Sequence, residues 1–238
     1  MLIWQKNSFK LKDEITNVGF ALSLTLIMIV FFIVPVIIAV LGFKEIHPLI
    51  MVLMPSAIII PGLCMIMYFV GRPGRLLRKF KMIDLHRNHI SFGFIGAIVA
   101  LIGIANIMYI YLGILKKIGV KLEKPVVEEI LKNSEPNSLW IIIFAVIVLA
   151  PISEEIIFRR FIFGFLAPRC GLIIAMVITA ALFAAIHMSL YSLPALFLLG
   201  IAFQLIYLKF GSIYPAIIMH AFNNAIAVTL ILLLPQQA

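Results

Sequence analysis

The chain of 238 residues is too apolar to be a water-soluble domain. Hydrophobic residues make up 64% of it, charged residues 12%, and the mean hydropathy is +1.19, whereas soluble domains are about 45–50% apolar and about 25% charged. So few charges cannot keep a folded surface in water, and the composition therefore indicates a polytopic membrane protein. It excludes a cytosolic enzyme, a secreted disulfide scaffold, a disordered tail and an ordinary DNA-binding domain.

The basic residues carry information about orientation. Lys and Arg outnumber Asp and Glu by 19 to 10, which gives a net charge of +9. In a membrane protein this excess fits the bias of basic residues toward cytoplasmic loops, so we expect membrane lipids and no nucleic acid as partners. Most basic residues outside the spans fall on one side when the N-terminus is inside. We therefore predict a multi-pass protein of the cell membrane with a cytoplasmic N-terminus.

The apolar stretches predict an all-α fold. A membrane helix needs about 20 mostly apolar residues, and the candidate spans are 18–41, 48–70, 90–115, 139–167, 172–190, 193–208 and 213–234. The stretch 139–167 is long for one crossing, and Pro151 within it lacks a backbone donor, so it could kink the helix or divide it in two. We expect a transmembrane helical bundle with seven to eight spans.

Two charged segments separate the spans. The basic loop 71–89 could contact anionic lipid headgroups, at about 1 kcal/mol for each Lys or Arg. The segment 116–138 alternates acidic and basic residues with a spacing that suits an amphipathic helix at the interface. We interpret the chain as a single membrane domain, with N-terminal spans in 1–138 and a chemically active core in 139–234.

Ionisable side chains inside the spans are the strongest functional signal. An ionised group at bilayer depth costs at least about 2.5–3.5 kcal/mol, so it needs a partner or a function. Among the acidic residues only Glu154 and Glu155 lie within an apolar run, and Arg159 follows them by one helical turn. Among the histidines only His187 and His220 lie within predicted spans. Costly polar groups therefore concentrate in the second half of the chain.

Helical spacing suggests which of these groups face one another. Glu155 and Arg159 are four residues apart and share a helix face, so we expect them to pair. Glu154 is rotated by about 100° from Glu155 and is left for chemistry. His220 and Asn224 also share a face, so both should point at one place.

The residue types together suggest hydrolysis. Phe183 stands one turn before His187 and could orient its ring. Desolvation makes a carboxylate a stronger base, imidazoles can bind a metal or orient water, and an amide can donate to an oxyanion. A structural explanation stays open for each part, because a buried histidine often bonds between helices and a Glu–Arg pair is often structural.

Three motifs resemble a known family. Residues 154–159 fit EExxxR, 183–187 fit FxxxH, and 220–224 fit HxxxN, in this order and on successive apolar segments. They are similar to the CPBP family of CAAX proteases and bacteriocin-processing enzymes, which includes the type II CAAX prenyl endopeptidase. The resemblance covers about residues 139–230, and Arg160 departs from it because the family often has a small residue there.

The resemblance implies an intramembrane endopeptidase acting on a membrane-associated peptide, such as a prenylated CAAX-type protein or a leader peptide. Glu154 would activate water together with His187, and His220 and Asn224 would complete the site as metal ligands or as an oxyanion hole. The implied site residues are Glu154, Glu155, Arg159, His187, His220 and Asn224. His187 and His220 are the candidate ligands of a divalent metal such as zinc, although no HExxH motif is present and a metal-independent glutamate mechanism stays open.

Other functions are weighed against proteolysis. The main alternative is a non-proteolytic membrane scaffold or bacteriocin-immunity protein of the same family. A proton-coupled transporter would be expected to show inverted repeats with broken helices in both halves, but the first half has no buried charge. Serine, aspartate and HExxH intramembrane proteases fit badly, because the chain lacks a GxSxG-like motif, paired membrane aspartates and HExxH.

Overall fold

The computed structural model describes residues 17–29, 62, 87–120 and 125–234. Every regular element within these ranges is a helix, which confirms the all-α fold class. The helices are α1 (Asn17–Met28), α2 (Arg87–Lys117), α3 (Val126–Asn133), α4 (Pro136–Cys170), α5 (Leu172–Ala185), α6 (Leu193–Phe210) and α7 (Tyr214–Leu233).

Within the described ranges, four helices are long and apolar enough to cross a membrane, namely α2 from Ile90 onward, α4, α6 and α7. Helix α5 has 14 residues, about 21 Å of helix against a hydrocarbon core of about 30 Å. The predicted number of seven to eight spans is therefore not confirmed. Apart from residue 62, the predicted span 48–70 lies outside the described residues, as do most of the basic loop 71–89 and the later part of the span 18–41.

Helix α4 runs without a break through Pro151, so the proline does not divide it into two crossings. Its 35 residues extend for about 50 Å. Two π-helical segments, Ala145–Leu149 and Ile156–Ile162, lie on either side of the turn that contains Pro151 and the two glutamates. A π turn adds one residue to a helical turn and often occurs at a functional site. In α4 these turns change which way the following side chains face.

Small residues allow the helices of the core to approach closely. A Cβ atom at Gly200 of α6 would lie 3.0 Å from the Cα atom of Ala180 in α5, and one at Gly93 of α2 would lie 3.2 Å from the carbonyl oxygen of Pro215 in α7. Between these helices large side chains such as Phe183 are completely buried. The polar face of α4 lies against α6 and α7, where Arg160 contacts Tyr207 and Glu155 contacts His220.

The amphipathic helix predicted between 116 and 138 is present as α3. Glu128 and Lys132 form an ion pair of 3.0 Å on its outer side. Leu131 on the other side is buried against α4 and α7. The helix therefore covers one end of the helical core with an apolar face and leaves its charges partly in solvent.

Candidate active site

Glu155 and Arg159 form the completely buried centre of the site. The Nε atom of Arg159 donates to Oε2 of Glu155 at 2.9 Å, and its Nη2 atom is 3.4 Å from Oε1. These distances confirm the pairing that was predicted from the spacing. Neither side chain has any exposed surface. The rings of Phe183 and Phe203 lie 5.6 and 5.7 Å from the guanidinium carbon, within the range of cation–π attraction.

His220 of α7 connects the two glutamates of α4. Its Nδ1 atom is 3.1 Å from Oε1 of Glu155, and its Nε2 atom is 3.7 Å from Oε2 of Glu154. A carboxylate paired with arginine can only accept hydrogen bonds, so the proton of a neutral His220 ring belongs on Nδ1. The lone pair of Nε2 then faces Glu154. Phe203 stacks on the imidazole with ring centroids 4.6 Å apart and fixes the plane of the ring.

Glu154 differs from its neighbour in having an uncommitted carboxylate oxygen. Its side chain is 16% exposed, and its buried Oε2 atom makes no hydrogen bond to any part of the chain that the structure describes. The rotation of one residue along α4 directs Glu154 away from Arg159, as the helical geometry predicts. Of the two glutamates, it is the one with a buried oxygen atom that has no hydrogen-bond partner within the described ranges.

Asn224 lies on the same face of α7 as His220, but its amide reaches a different part of α4. Its Nδ2 atom donates to the carbonyl oxygen of Val146 at 2.9 Å. Val146 lies in the first π-helical segment, two turns before the glutamates. The structure therefore gives Asn224 a backbone partner that the sequence did not indicate, while its predicted contact with an oxyanion stays a prediction.

The prediction that His187 is buried within a span is wrong. Helix α5 ends at Ala185, and His187 lies in the turn that follows, where it is exposed. The reason is that the backbone leaves the helix here: the N–H of His187 bonds to the carbonyl of Ala184, and Met188 adopts a left-handed φ of 48°. The apolar sequence continues through this turn and so gives no sign of where the helix ends.

The ring of His187 is nevertheless held by contacts with Phe183. Its Nδ1 atom is 2.8 Å from the carbonyl oxygen of Phe183, and the two ring centroids are 5.0 Å apart, which confirms the predicted contact. The same phenylalanine packs edge-on against His220 at 5.6 Å. Phe183 therefore contacts both predicted site histidines.

The donor set does not match a three-ligand metal centre. In the described ranges, no group of three His, Cys, Asp or Glu side chains is arranged to hold a metal ion. A catalytic zinc usually has three protein ligands, whereas Glu154 and His220 supply two donor atoms facing each other. The assignment of His187 and His220 as ligands of a divalent metal stays a prediction.

Two features of α6 were not predicted from the sequence. Arg160, the departure from the family pattern, donates to the hydroxyl of Tyr207 at 3.2 Å. Gln204 is completely buried, and neither polar atom of its side chain has a hydrogen-bond partner within the described ranges. The signal for Gln204 in the sequence is an uncharged amide within the apolar run 193–208.

The fold and the site define the class of protein as a membrane protein with an interior acid–base cluster. Comparison with known protein families identifies the family that part of the chain matches. Residues 136–226 match the family described as "Type II CAAX prenyl endopeptidase Rce1-like", and this segment contains all three motifs. The resemblance to the CPBP family is therefore confirmed over this segment.

Two curated proteins are similar to part of the chain. The "Putative membrane peptidase YdiL" of Bacillus subtilis (strain 168) is 30% identical over 110 residues, or 46% of this chain and 44% of the relative. The "Membrane-embedded CAAX protease MroQ" of Staphylococcus aureus (strain USA300) is 32% identical over 102 residues, or 40% of this chain and 41% of the relative. The alignments thus span less than half of each relative. No solved structure matches.

Proposed function

We propose that this chain is an intramembrane endopeptidase of the CAAX type, with Glu154 as the general base. The observation that supports the proposal is a continuous series of interior contacts from Arg159 through Glu155 to His220, which ends at Oε2 of Glu154. Arg159, Glu155 and His220 hold one another in position through these contacts. The fourth group, Glu154, has an oxygen atom that can accept a proton.

The hydrolytic step uses these groups as follows. Oε2 of Glu154 removes a proton from a water molecule, and the water oxygen attacks the carbonyl carbon of the scissile peptide bond. The protonated Glu154 then donates to the leaving nitrogen as the carbon–nitrogen bond breaks. Between these events its O–H group can donate to Nε2 of His220, which Glu155 holds in the accepting tautomer.

The other predicted site residues surround this step. Phe183 orients the His187 ring, and His187 assists Glu154 in activating water. In the tautomer that Glu155 selects, His220 has no N–H left to donate, so Asn224 is the side chain that would donate to the predicted oxyanion. The step as proposed uses these side chains and water alone, and a divalent metal ion held by His187 and His220 stays the alternative.

The substrate class follows from the resemblance and the membrane setting. We propose a membrane-associated peptide, either a prenylated CAAX-type protein or a leader peptide. The family description and the name of the Staphylococcus aureus relative both refer to CAAX proteolysis. The enzyme would reside in the cell membrane, with the N-terminus on the cytoplasmic side.

Cleavage by purified protein tests the proposal. Wild type, Glu154→Gln and Glu135→Gln are assayed in detergent against prenylated and unprenylated membrane peptides. Glu135 is exposed just before α4 and serves as the matched control. We expect Glu154→Gln to lose a factor of at least about 100 in rate, the lower end of general-base contributions, and Glu135→Gln to keep the wild-type rate.

The outcomes separate the enzyme from the scaffold. Equal cleavage by wild type and Glu154→Gln would show that Glu154 is not the base. If folded wild-type protein cleaves none of the peptides, the protease proposal fails, and the non-proteolytic scaffold or immunity function takes its place.

A further inference from the structure

A backbone carbonyl in the middle of α4 has no donor within its own helix. In the π turn Ala145–Leu149, the N–H of Ala150 bonds to the carbonyl of Ala145, although in a regular α-helix it would bond to Val146. The next residue that could donate to Val146 in a π turn is Pro151, which has no N–H. The π turn and the proline together leave the carbonyl of Val146 without a helical partner.

Asn224 supplies the missing donor from another helix. Its Nδ2 atom lies 2.9 Å from the carbonyl oxygen of Val146. An unpaired carbonyl is costly in an apolar interior, where water cannot satisfy it. The hydrogen bond therefore compensates a defect that Pro151 introduces into α4.

This hydrogen bond also determines how α7 lies against α4. His220 and Asn224 are one turn apart on α7, and they contact α4 at Glu155 and Val146 respectively. Pro151 lies between those two points. Two contacts on the same face of α7 therefore join it to α4 at two points, one on each side of Pro151.

We propose that Asn224 is a positioning residue, which bonds the Val146 carbonyl left unpaired by Pro151 and thereby holds His220 against both glutamates. This role is additional to the proposed oxyanion contact, for which the second hydrogen of the Nδ2 atom is left. The part of the proposal that concerns cleavage rests on the proposed protease function. The part that concerns the contact between the helices does not.

Asn223 provides a matched control in the same helix. It is buried, and its Nδ2 atom donates at 2.8 Å to the carbonyl oxygen of Met219 within α7 itself. Its amide thus makes no contact with the defect in α4. Replacing either asparagine by leucine removes an amide of nearly the same size, but only Asn224→Leu leaves Val146 unpaired.

The test is a double-mutant cycle with Pro151. Asn224→Leu, Pro151→Ala and the double variant are compared with wild type in detergent for unfolding midpoint, kcat and KM. Pro151→Ala restores an N–H five residues after Val146. This N–H can replace the hydrogen bond to the Val146 carbonyl that Asn224→Leu removes. We expect Asn224→Leu to lower the unfolding midpoint and to reduce kcat at least tenfold with little change in KM. The double variant should recover most of the midpoint and part of kcat, because Pro151→Ala does not restore the oxyanion contact.

In the same cycle with Asn223→Leu, Pro151→Ala should recover neither the midpoint nor kcat. Asn223 and Pro151 do not interact, so the effects of the two substitutions should simply add. The proposal is overturned if Asn224→Leu reduces kcat at an unchanged midpoint and Pro151→Ala restores nothing, as an oxyanion contact alone would give. It is also overturned if Asn224→Leu changes neither quantity. If Asn224→Leu does not fold, Asn224→Ser takes its place with the same expectations.

A failure of the protease function leaves a distinct result. If wild-type protein cleaves nothing, the unfolding midpoints alone decide. Recovery of stability by Pro151→Ala in the Asn224 series, and not in the Asn223 series, supports the contact with Val146. Purely additive midpoints in both series overturn it.

Discussion

Helices α3 and α4 each carry a glutamate paired with a basic residue four positions later. The Glu128–Lys132 pair in α3 has an N–O distance of 3.0 Å and side chains 18% exposed, while the Glu155–Arg159 pair in α4 has a distance of 2.9 Å and no exposure. The spacing and geometry are nearly equal, so what differs is the surroundings. Spacing predicts the contact, and burial determines its energetic and functional consequence.

The two pairs also differ in what they contact. The α3 pair lies at the rim of the bundle. The α4 pair is enclosed by the rings of Phe183 and Phe203 and continues into His220. The buried pair therefore orients a third group, the imidazole of His220. Substitutions in the two pairs and in the enclosing rings test whether burial makes this difference.

The largest effect is expected from Glu155→Gln. The substitution leaves the charge of Arg159 buried without a counter-ion, which costs about 3–5 kcal/mol of folding stability. We expect a large fall in the thermal unfolding midpoint in detergent. Replacing both residues, as in Glu155→Leu with Arg159→Met, should restore much of that stability because no charge stays buried. If Glu155→Gln alone were as stable as wild type, it would contradict the assignment of Glu155 as the counter-ion of a buried Arg159.

A smaller effect is expected from Phe203→Leu. This change removes the ring that stacks on His220 and faces Arg159, for a loss of about 1–2 kcal/mol in stability. Because His220 loses a constraint on its plane, kcat should fall while KM changes little. Phe94→Leu on α2 is the control: Phe94 packs edge-on against Phe222, and its loss should leave kcat unchanged. An equal fall in kcat for both variants would contradict the role of Phe203.

The smallest effect is expected from Lys132→Gln in α3. Partly exposed i,i+4 ion pairs contribute about 0.3–0.5 kcal/mol, and salt screens them. The unfolding midpoint should change slightly at low salt and not measurably at high salt. A loss approaching that of Glu155→Gln would show that burial is not what distinguishes the two pairs.

Local contacts of the site could be predicted because helical spacing determines them. The Glu155–Arg159 pair and the Phe183–His187 contact both join residues four positions apart, and both are present. The rotation of Glu154 away from Arg159 follows from the same geometry. The helical fold class itself follows from apolar runs of membrane-spanning length.

Contacts between helices could not be predicted, because they depend on how the helices lie against one another. His220 meets Glu155 across 65 residues, and Asn224 meets Val146 across 78. The second contact also depends on a π turn, which has no counterpart in the pattern of apolar residues. The end of α5 before His187 was missed for a related reason, since the apolar run continues through the turn.

The cleavage rate of Glu154→Gln, measured under single-turnover conditions on protein with the wild-type unfolding midpoint, tests most directly whether adjacent glutamates have separate roles. Oε2 of Glu154 has no hydrogen-bond partner in the described part of the chain, so its loss should not destabilise the fold. We predict a rate at least about 100-fold below wild type with unchanged stability. Cleavage at the wild-type rate would contradict the role of Glu154 as general base.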